Sequence, residues 1–200
     1  AFNETTVERV PMNRDPDPDT LKAAVRATVR AALAGMTPQQ KAAESSEVCR
    51  KLLRHDLYTR ARVVMAFAPL ADEPLIAPVA QDALARGKTL LLPRVDWNSG
   101  TMVAALVQSW PGDLVRDARG MLVPVDDAPV YDPASIHFVL VPGVAFSSTG
   151  VRLGRGAGYY DRFLSQIPIH RRIGVCFQCQ RVEQIPLLPH DEPVAEVVSA

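Results

Sequence analysis

Long apolar runs are missing from this chain. None approaches the roughly 20 residues that a membrane-spanning helix needs, and the first 20 residues hold no hydrophobic signal core. An excess of charge is missing too: Lys plus Arg and Asp plus Glu number 22 each. No overall field therefore draws nucleic acid, and no basic run forms a stripe that would follow a phosphate backbone. Cysteine is scarce at three residues, which leaves one thiol unpaired under any disulfide scheme. A reducing compartment fits best, so the expectation is a soluble cytoplasmic protein with no nucleic-acid and no membrane partner. Cys176 and Cys179 have C-x-x-C spacing but lie in the apolar run IGVCFQC, with no second pair and no suitably spaced histidine. They read as buried strand cysteines, since a zinc site normally needs four ligands. No Ser-His-Asp or Cys-His grouping announces covalent catalysis either.

What is present suits one α/β domain. Two hundred residues with 48% apolar content can build a single substantial core. Residues 1–18 are polar, with prolines at 11, 16 and 18, and show neither helical nor strand period, which predicts a mobile tail ahead of one domain over 19–200. Asp19 or Thr20 is placed to cap a helix whose apolar positions Leu21, Val25, Val29 and Leu33 recur every fourth residue. Thr37-Pro38-Gln39-Gln40 offers an N-cap, a first-turn proline and a capping-box glutamine for a second helix to about Arg54, with Ala42, Cys49 and Leu53 as packing positions. Apolar runs at 62–69, 89–95, from Met102, before Gly143, from Arg172 and at about 194–198 read as strands, and Glu73-Pro74 as a helix start with Gly87 as its stop. Turn formers fill 108–135, which reads as a long surface excursion. Buried strands alternating with amphipathic helices predict a three-layer fold, a mostly parallel or mixed sheet with helices on both faces.

The stretch that organises the chain is FSSTGVRLGRGAGYYDRFL, residues 146–164. Gly154, Gly156 and Gly158 alternate with Arg155 and Ala157, so the backbone can take positive φ and bring several N–H groups near an anion. The helix expected from Gly158 adds its positive end, and Arg152 and Arg155 add full charges. The outline is a phosphate cradle. Glycines before a helix also make ordinary tight turns, and spacing alone does not separate the two. Lys22, Arg26 and Arg30 share a four-residue spacing on the first helix, which by itself describes a solvated basic face. Three alternating glycines followed by Tyr159, Tyr160 and Asp161 fit neither a P-loop nor a dinucleotide-binding turn.

The string RLGRGAGYYDRFL, preceded by LVPGVAF, resembles the signature of the 5-formyltetrahydrofolate cyclo-ligases, also called methenyltetrahydrofolate synthetases. That resemblance spans about residues 20–198. It implies an enzyme that uses ATP to close 5-formyltetrahydrofolate to 5,10-methenyltetrahydrofolate, with ADP and phosphate as co-products. The formyl oxygen would be phosphorylated first, and N10 would then attack the activated carbon. Arg155, Tyr159 and Asp161 are the implied catalytic residues. ATP would be held by Lys22, Arg26, Arg152, Gly154, Arg155, Gly156, Ala157, Gly158, Tyr159 and Tyr160. Folate would lie against Phe67, Ala68, Met102 and Tyr159, with Glu73 on its pterin, while Asp161 and Asp191 would hold Mg2+. Small-molecule substrates acting on a monomer complete the implied picture. Leu75, Ile76 and Val123 depart from the family's usual residues, and Ala157 stands where some members have lysine. Those departures motivate two rivals: a non-catalytic nucleotide or folate binder, and an ATP-dependent ligase acting on another heterocycle.

Overall fold

The computed structural model describes residues 17–200. Residues 1–16, most of the expected tail, lie outside the described residues, and Pro18 already opens the first helix. The chain runs α1 (Pro18–Ala34), α2 (Pro38–Arg54), a short α3 (Asp56–Arg60), β1 (Val63–Met65), α4 (Ala77–Ala85), β2 (Thr89–Asp96), β3 (Thr101–Val107), β4 (Leu114–Arg116), β5 (Leu122–Pro124) and β6 (Val130–Tyr131). It continues through β7 (Phe138–Pro142), β8 (Ala145–Ser147), β9 (Arg152–Leu153), α5 (Tyr159–Leu164), β10 (Arg172–Val175), β11 (Arg181–Val182) and β12 (Glu196–Val198).

Seven strands form one mixed sheet in the order β12-β10-β7-β1-β2-β3-β6. The first five are mutually parallel, and β3 and β6 close the far edge antiparallel. Successive side chains on a strand point to opposite faces. Val64, Leu90, Leu92, Phe138, Leu140 and Ile173 therefore pack on one face, under α2, α3 and α4. Met65, Leu91, Val139 and Val141 face the other way and meet Phe163 and Leu164 of α5. The continuous apolar runs of β1, β2 and β7 follow from being covered on both sides. A smaller sheet, β11-β8-β9, packs with Val29 and Leu33 of α1. None of the described helices is long and apolar enough to cross a membrane.

Several local expectations need correction. Asp17, two residues before the expected cap, precedes α1, because Pro18 suits the first helical turn, where its missing N–H costs nothing. Leu21 is 38% exposed while Lys22 is 4% exposed, so the helix turns a lysine inward where apolar spacing pointed to leucine. On α2 the capping box of Thr37 and Gln40 forms as expected, with Thr37 N–H donating to Gln40 Oε1 at 2.8 Å. Ala42, however, is exposed, and Ser45 is buried in its place. Ser45 Oγ donates to the Lys41 carbonyl and accepts from Leu75 N–H, which satisfies the hydroxyl. Helix α4 starts at Ala77, with Pro78 in its first turn, so Glu73 and Pro74 belong to the loop before it. The excursion over 108–135 holds the antiparallel ribbon β4–β5, and the hairpin β8–β9 stands between β7 and the glycine-rich turn.

Candidate active site

Parallel strands place their carboxyl ends together, and the loops leaving them form the natural ligand crevice of an α/β sheet. The loops after β1 and β7 carry Phe67 and Gly143 to that edge, the end of β2 brings Val95, and the start of antiparallel β3 brings Met102. The glycine turn and α5 close over them. Between these parts lies a cleft of about 330 Å3.

The rear of the cleft is a seam of buried ion pairs. Arg152, on β9, gives Nη2 to Asp161 Oδ1 at 2.6 Å, and its side chain is 4% exposed. Glu192 N–H donates to the same carboxylate oxygen at 3.3 Å, which draws the segment before β12 alongside α5. One residue earlier, Asp191 Oδ2 takes Lys22 Nζ at 2.6 Å and Leu188 N–H at 2.6 Å. Burial raises the pKa of Asp191, but the bonds from the Lys22 ammonium and Leu188 N–H outweigh it and hold the carboxyl below its usual range. Arg26 Nε donates to the Gly154 carbonyl at 3.0 Å and so fixes the start of the turn. Arg30, the third member of the basic stripe, is exposed, which is the solvated role that spacing alone describes.

Within the turn, Gly156 has φ 106° and Gly158 has φ 69°, backbone that L side chains rarely adopt. Helix α5 that follows is only six residues long. Its dipole is correspondingly short, so positive charge at this end of the cleft comes mainly from guanidinium groups. Ala157 is exposed, and its carbonyl accepts from Arg162 at 3.3 Å.

The front of the cleft is built differently. Glu73 is 7% exposed; its Oε2 accepts from Leu70 N–H at 2.9 Å, and its Oε1 takes Arg155 Nη2 at 3.2 Å. Burial pushes the Glu73 pKa up against the lowering effects of Leu70 N–H and Arg155. The same Arg155 nitrogen reaches Asp72 Oδ1 at 2.6 Å, so one guanidinium from the glycine turn spans to the loop after β1. Tyr159 meets Trp97 edge-on at 5.4 Å between ring centroids, and the Arg119 guanidinium lies 3.8 Å over the Trp97 ring. Trp97 Nε1–H donates to Asp117 Oδ2 at 3.1 Å. These contacts seat the β4–β5 ribbon as a wall over the cleft.

Phe67, Ala68, Glu73 and Met102 all line the cleft, as do Arg152, Gly154, Arg155, Ala157, Gly158, Tyr159, Tyr160 and Asp161. Lys22, Arg26, Gly156 and Asp191 lie outside that lining. Three of them are tied to it by direct bonds or chain neighbours: Arg26 through Gly154, Asp191 through Glu192 and Asp161, and Lys22 through Asp191. Sequence reasoning missed Trp97, Arg119, Met121 and Leu122, all in cleft-lining positions. Val123, noted as a departure, lines the cleft and was the signal that the excursion approaches the site. Leu75 and Ile76 do not line it: Leu75 is 56% exposed and Ile76 is wholly buried in the core beneath α4. Arg94 gives Nη1 to the carbonyls of Val125 and Asp126 and so holds the turn after β5.

The sequence model of the 5-formyltetrahydrofolate cyclo-ligase family matches residues 18–200. A mouse 5-formyltetrahydrofolate cyclo-ligase is 25% identical over 190 residues, covering 90% of this chain and 94% of the mouse protein. One from Mycolicibacterium smegmatis is 33% identical over 147 residues, with 69% and 73% covered. Among solved structures, the 5,10-methenyltetrahydrofolate synthetase of Aquifex aeolicus superposes with a TM-score of 0.78 at 30% identity, covering 89% of each chain. The Mycoplasma pneumoniae synthetase, at 17% identity, shares the fold with a TM-score of 0.72 over 89% of this chain and 98% of its own.

Proposed function

The chain belongs to the 5-formyltetrahydrofolate cyclo-ligase family, and from that premise we propose that it closes 5-formyltetrahydrofolate to 5,10-methenyltetrahydrofolate with ATP, releasing ADP and phosphate. One observation supports the residue roles above all: a single cleft is bounded by the glycine turn with Arg152 and Arg155 on one side and by buried Glu73 on the other. Two substrates that must exchange a phosphoryl group need such a junction. Positioning and charge neutralisation supply most of the catalysis in phosphoryl transfer.

In this reading the backbone N–H groups from Gly154 to Gly158, with Arg26, Arg152 and Arg155, hold the triphosphate, and Lys22 keeps the seam behind them in register. Glu73 accepts from the pterin ring, while Phe67, Met102 and Tyr159 cover its faces. An N-formyl group is a weak electrophile with a poor leaving oxygen, which explains the need for ATP. Its oxygen attacks the γ-phosphorus and the bond to ADP breaks. The N10 lone pair then forms the new N–C bond, the C–O bond breaks with its electrons going to phosphate, and the N10 proton is lost to water. The apolar wall of Trp97, Met121 and Val123 would keep water from the activated carbon.

Asp161 and Asp191 suit Mg2+, which commonly takes one or two carboxylates together with phosphate oxygens and water. Asp161 lines the cleft, and the Glu192 N–H on its Oδ1 ties it to the segment that carries Asp191, which lies outside the lining. When bound, the ion would neutralise phosphate charge. We also propose a cytosolic monomer whose partners are these small molecules, in keeping with three cysteines that form no disulfide.

Purified protein mixed with 5-formyltetrahydrofolate and Mg-ATP should generate the methenyl product, followed by its absorbance. Binding of both ligands without product would point to a non-catalytic relative. ATP binding alone would point to a ligase for another heterocycle.

A further inference from the structure

Arg119, in the turn of the β4–β5 ribbon, lines the cleft and brings a full positive charge to its wall. An exposed arginine ordinarily needs no explanation. This one is held in place without being neutralised. Both oxygens of Asp117, two residues before it, are committed elsewhere: Oδ1 accepts from the N–H groups of Arg119 and Met121 at 2.9 Å each, and Oδ2 accepts from Trp97 Nε1–H at 3.1 Å. Asp96, at the end of β2, is spent in the same way on the N–H groups of Asn98 and Ser99 and on the Ser99 hydroxyl. Among the described residues no oxygen takes a hydrogen bond from the Arg119 guanidinium and no carboxylate pairs with it; its contact is the Trp97 ring, 3.8 Å away. A guanidinium held on an aromatic face keeps its N–H edge free for a planar acceptor. Arg162, over the ring of Tyr159, differs in that it donates to the carbonyls of Gly100 and Ala157.

Sheet register gives the place of Arg119 relative to Glu73. Strand β2 pairs with β1 as far as Leu91, opposite Met65, and then continues to Asp96, about 16 Å further at roughly 3.3 Å per residue. Trp97 follows at once and brings Arg119 to the outer part of the cleft. The loop that carries Glu73 instead turns back to α2, where Leu75 N–H donates to Ser45 Oγ at 3.0 Å. In the cyclo-ligase reading, on which this inference rests, Glu73 holds the pterin. 5-Formyltetrahydrofolate extends from its pterin through a p-aminobenzoyl ring to a glutamate, so its two carboxylates lie at the end farthest from the pterin. We propose that Arg119, with Trp97 as its platform, is a specificity residue that takes a carboxylate of this glutamate. No bond is made or broken there. A guanidinium fork and a carboxylate match in plane and charge, so the pair favours substrates that carry the acidic tail.

The test is Arg119→Met in the full chain, which keeps an apolar stem against Trp97 and removes the charge. Calorimetric titrations without ATP compare 5-formyltetrahydrofolate with 5-formyltetrahydropteroyl amide, the same molecule with the glutamate replaced by an amide nitrogen. Wild type should hold the glutamate form about fivefold more tightly than the amide, the upper range for an exposed ion pair, and added salt should shrink that preference. In the variant the preference should vanish, while the amide binds both proteins alike. Arg119→Lys, which keeps the charge without the planar fork, should restore part of it. Equal weakening toward both ligands would overturn the proposal, because Arg119 would then only brace Trp97. A preference that survives in Arg119→Met, or a wild type that binds the two ligands equally, would overturn it as well. Wild-type protein that shows the preference yet forms no methenyl product with Mg-ATP would sink the cyclo-ligase reading and leave the carboxylate seat standing.

Discussion

At the rear of the cleft each buried charge already has its opposite: Lys22 meets Asp191, Arg152 meets Asp161, and Arg172 meets Glu192, each at 2.6 Å. At the front, Glu73 has one backbone N–H and a shared, half-exposed arginine, set in a wall of apolar and aromatic side chains. The two carboxylates report the difference, since Asp191 is held below its usual pKa and Glu73 is pushed above it. The rear pairs its charges within the fold, and in the proposed reading that seam backs the phosphates. The front keeps a carboxylate poorly satisfied, and so ready for a ligand's donors.

The largest expected effects come from breaking the rear. Lys22→Ala strands Asp191, and Asp161→Asn strands Arg152, each leaving a buried charge without its partner at a cost of about 3–5 kcal/mol of folding stability. Denaturant midpoints check this. For Asp161→Asn the Mg2+ concentration at half-maximal activity should also rise, and an unchanged requirement would remove Asp161 from the metal site. Next comes Gly156→Val, which should weaken nucleotide binding on the order of 100-fold, about 2.7 kcal/mol, by putting a β-branched residue at φ 106° beside the phosphates. A Cβ there meets nothing closer than Arg26 Nη2 at 3.9 Å, so the effect should not arise from a clash within the fold. A calorimetric titration with a non-hydrolysable ATP analogue reads it, and equal losses of binding and thermal midpoint would mean an ordinary turn.

At the front, Glu73→Gln should lower affinity for 5-formyltetrahydrofolate by about 1.5–3 kcal/mol, the value of a charge-assisted hydrogen bond, and ATP affinity should rise slightly, because Arg155 is then held by Asp72 alone. Its stability should move the opposite way in pH from that of an Asp191→Asn variant. With a folded pKa above the unfolded one, Glu73 contributes stability that is complete below the ordinary carboxylate range and lost as pH rises through the folded value. With a folded pKa below the unfolded one, Asp191 contributes stability that is present above that range and lost as pH falls through the folded value. Acid titrations of the two variants against wild type should therefore diverge. The smallest effect belongs to Arg30→Ala, which should change stability by no more than about 0.5 kcal/mol and leave the KM for ATP alone.

The same contrast explains how much was legible in the sequence. The rear is concentrated in one contiguous string from Arg152 to Asp161, whose glycines and charges mark it locally, and the family likeness reached Lys22, Arg26 and Asp191. The paired strands β1, β2 and β7 were legible because burial on both faces makes them uniformly apolar. The front is assembled from residues 67 to 123 through sheet register and a ribbon, and nothing in the string between Trp97 and Leu122 states that it folds back over Tyr159. Lys22 illustrates the limit within a helix. Apolar period placed Leu21 inward, but a lysine that finds Asp191 across the fold outcompetes a leucine for the buried position.

Arg155 reaches across the cleft to Asp72 and Glu73, and that bridge ties two equilibria together. A phosphate that draws Arg155 away leaves Glu73 buried with a single N–H, whereas a pterin that satisfies Glu73 sets Arg155 free. Each ligand thus removes a cost the other would meet alone. Thermodynamic reciprocity makes that coupling equal in both directions. The enzyme should accordingly bind its two substrates with positive cooperativity: an ATP analogue titrated at saturating 5-formyltetrahydrofolate should show the tighter isotherm, and folate titrated over the analogue should tighten by the same factor.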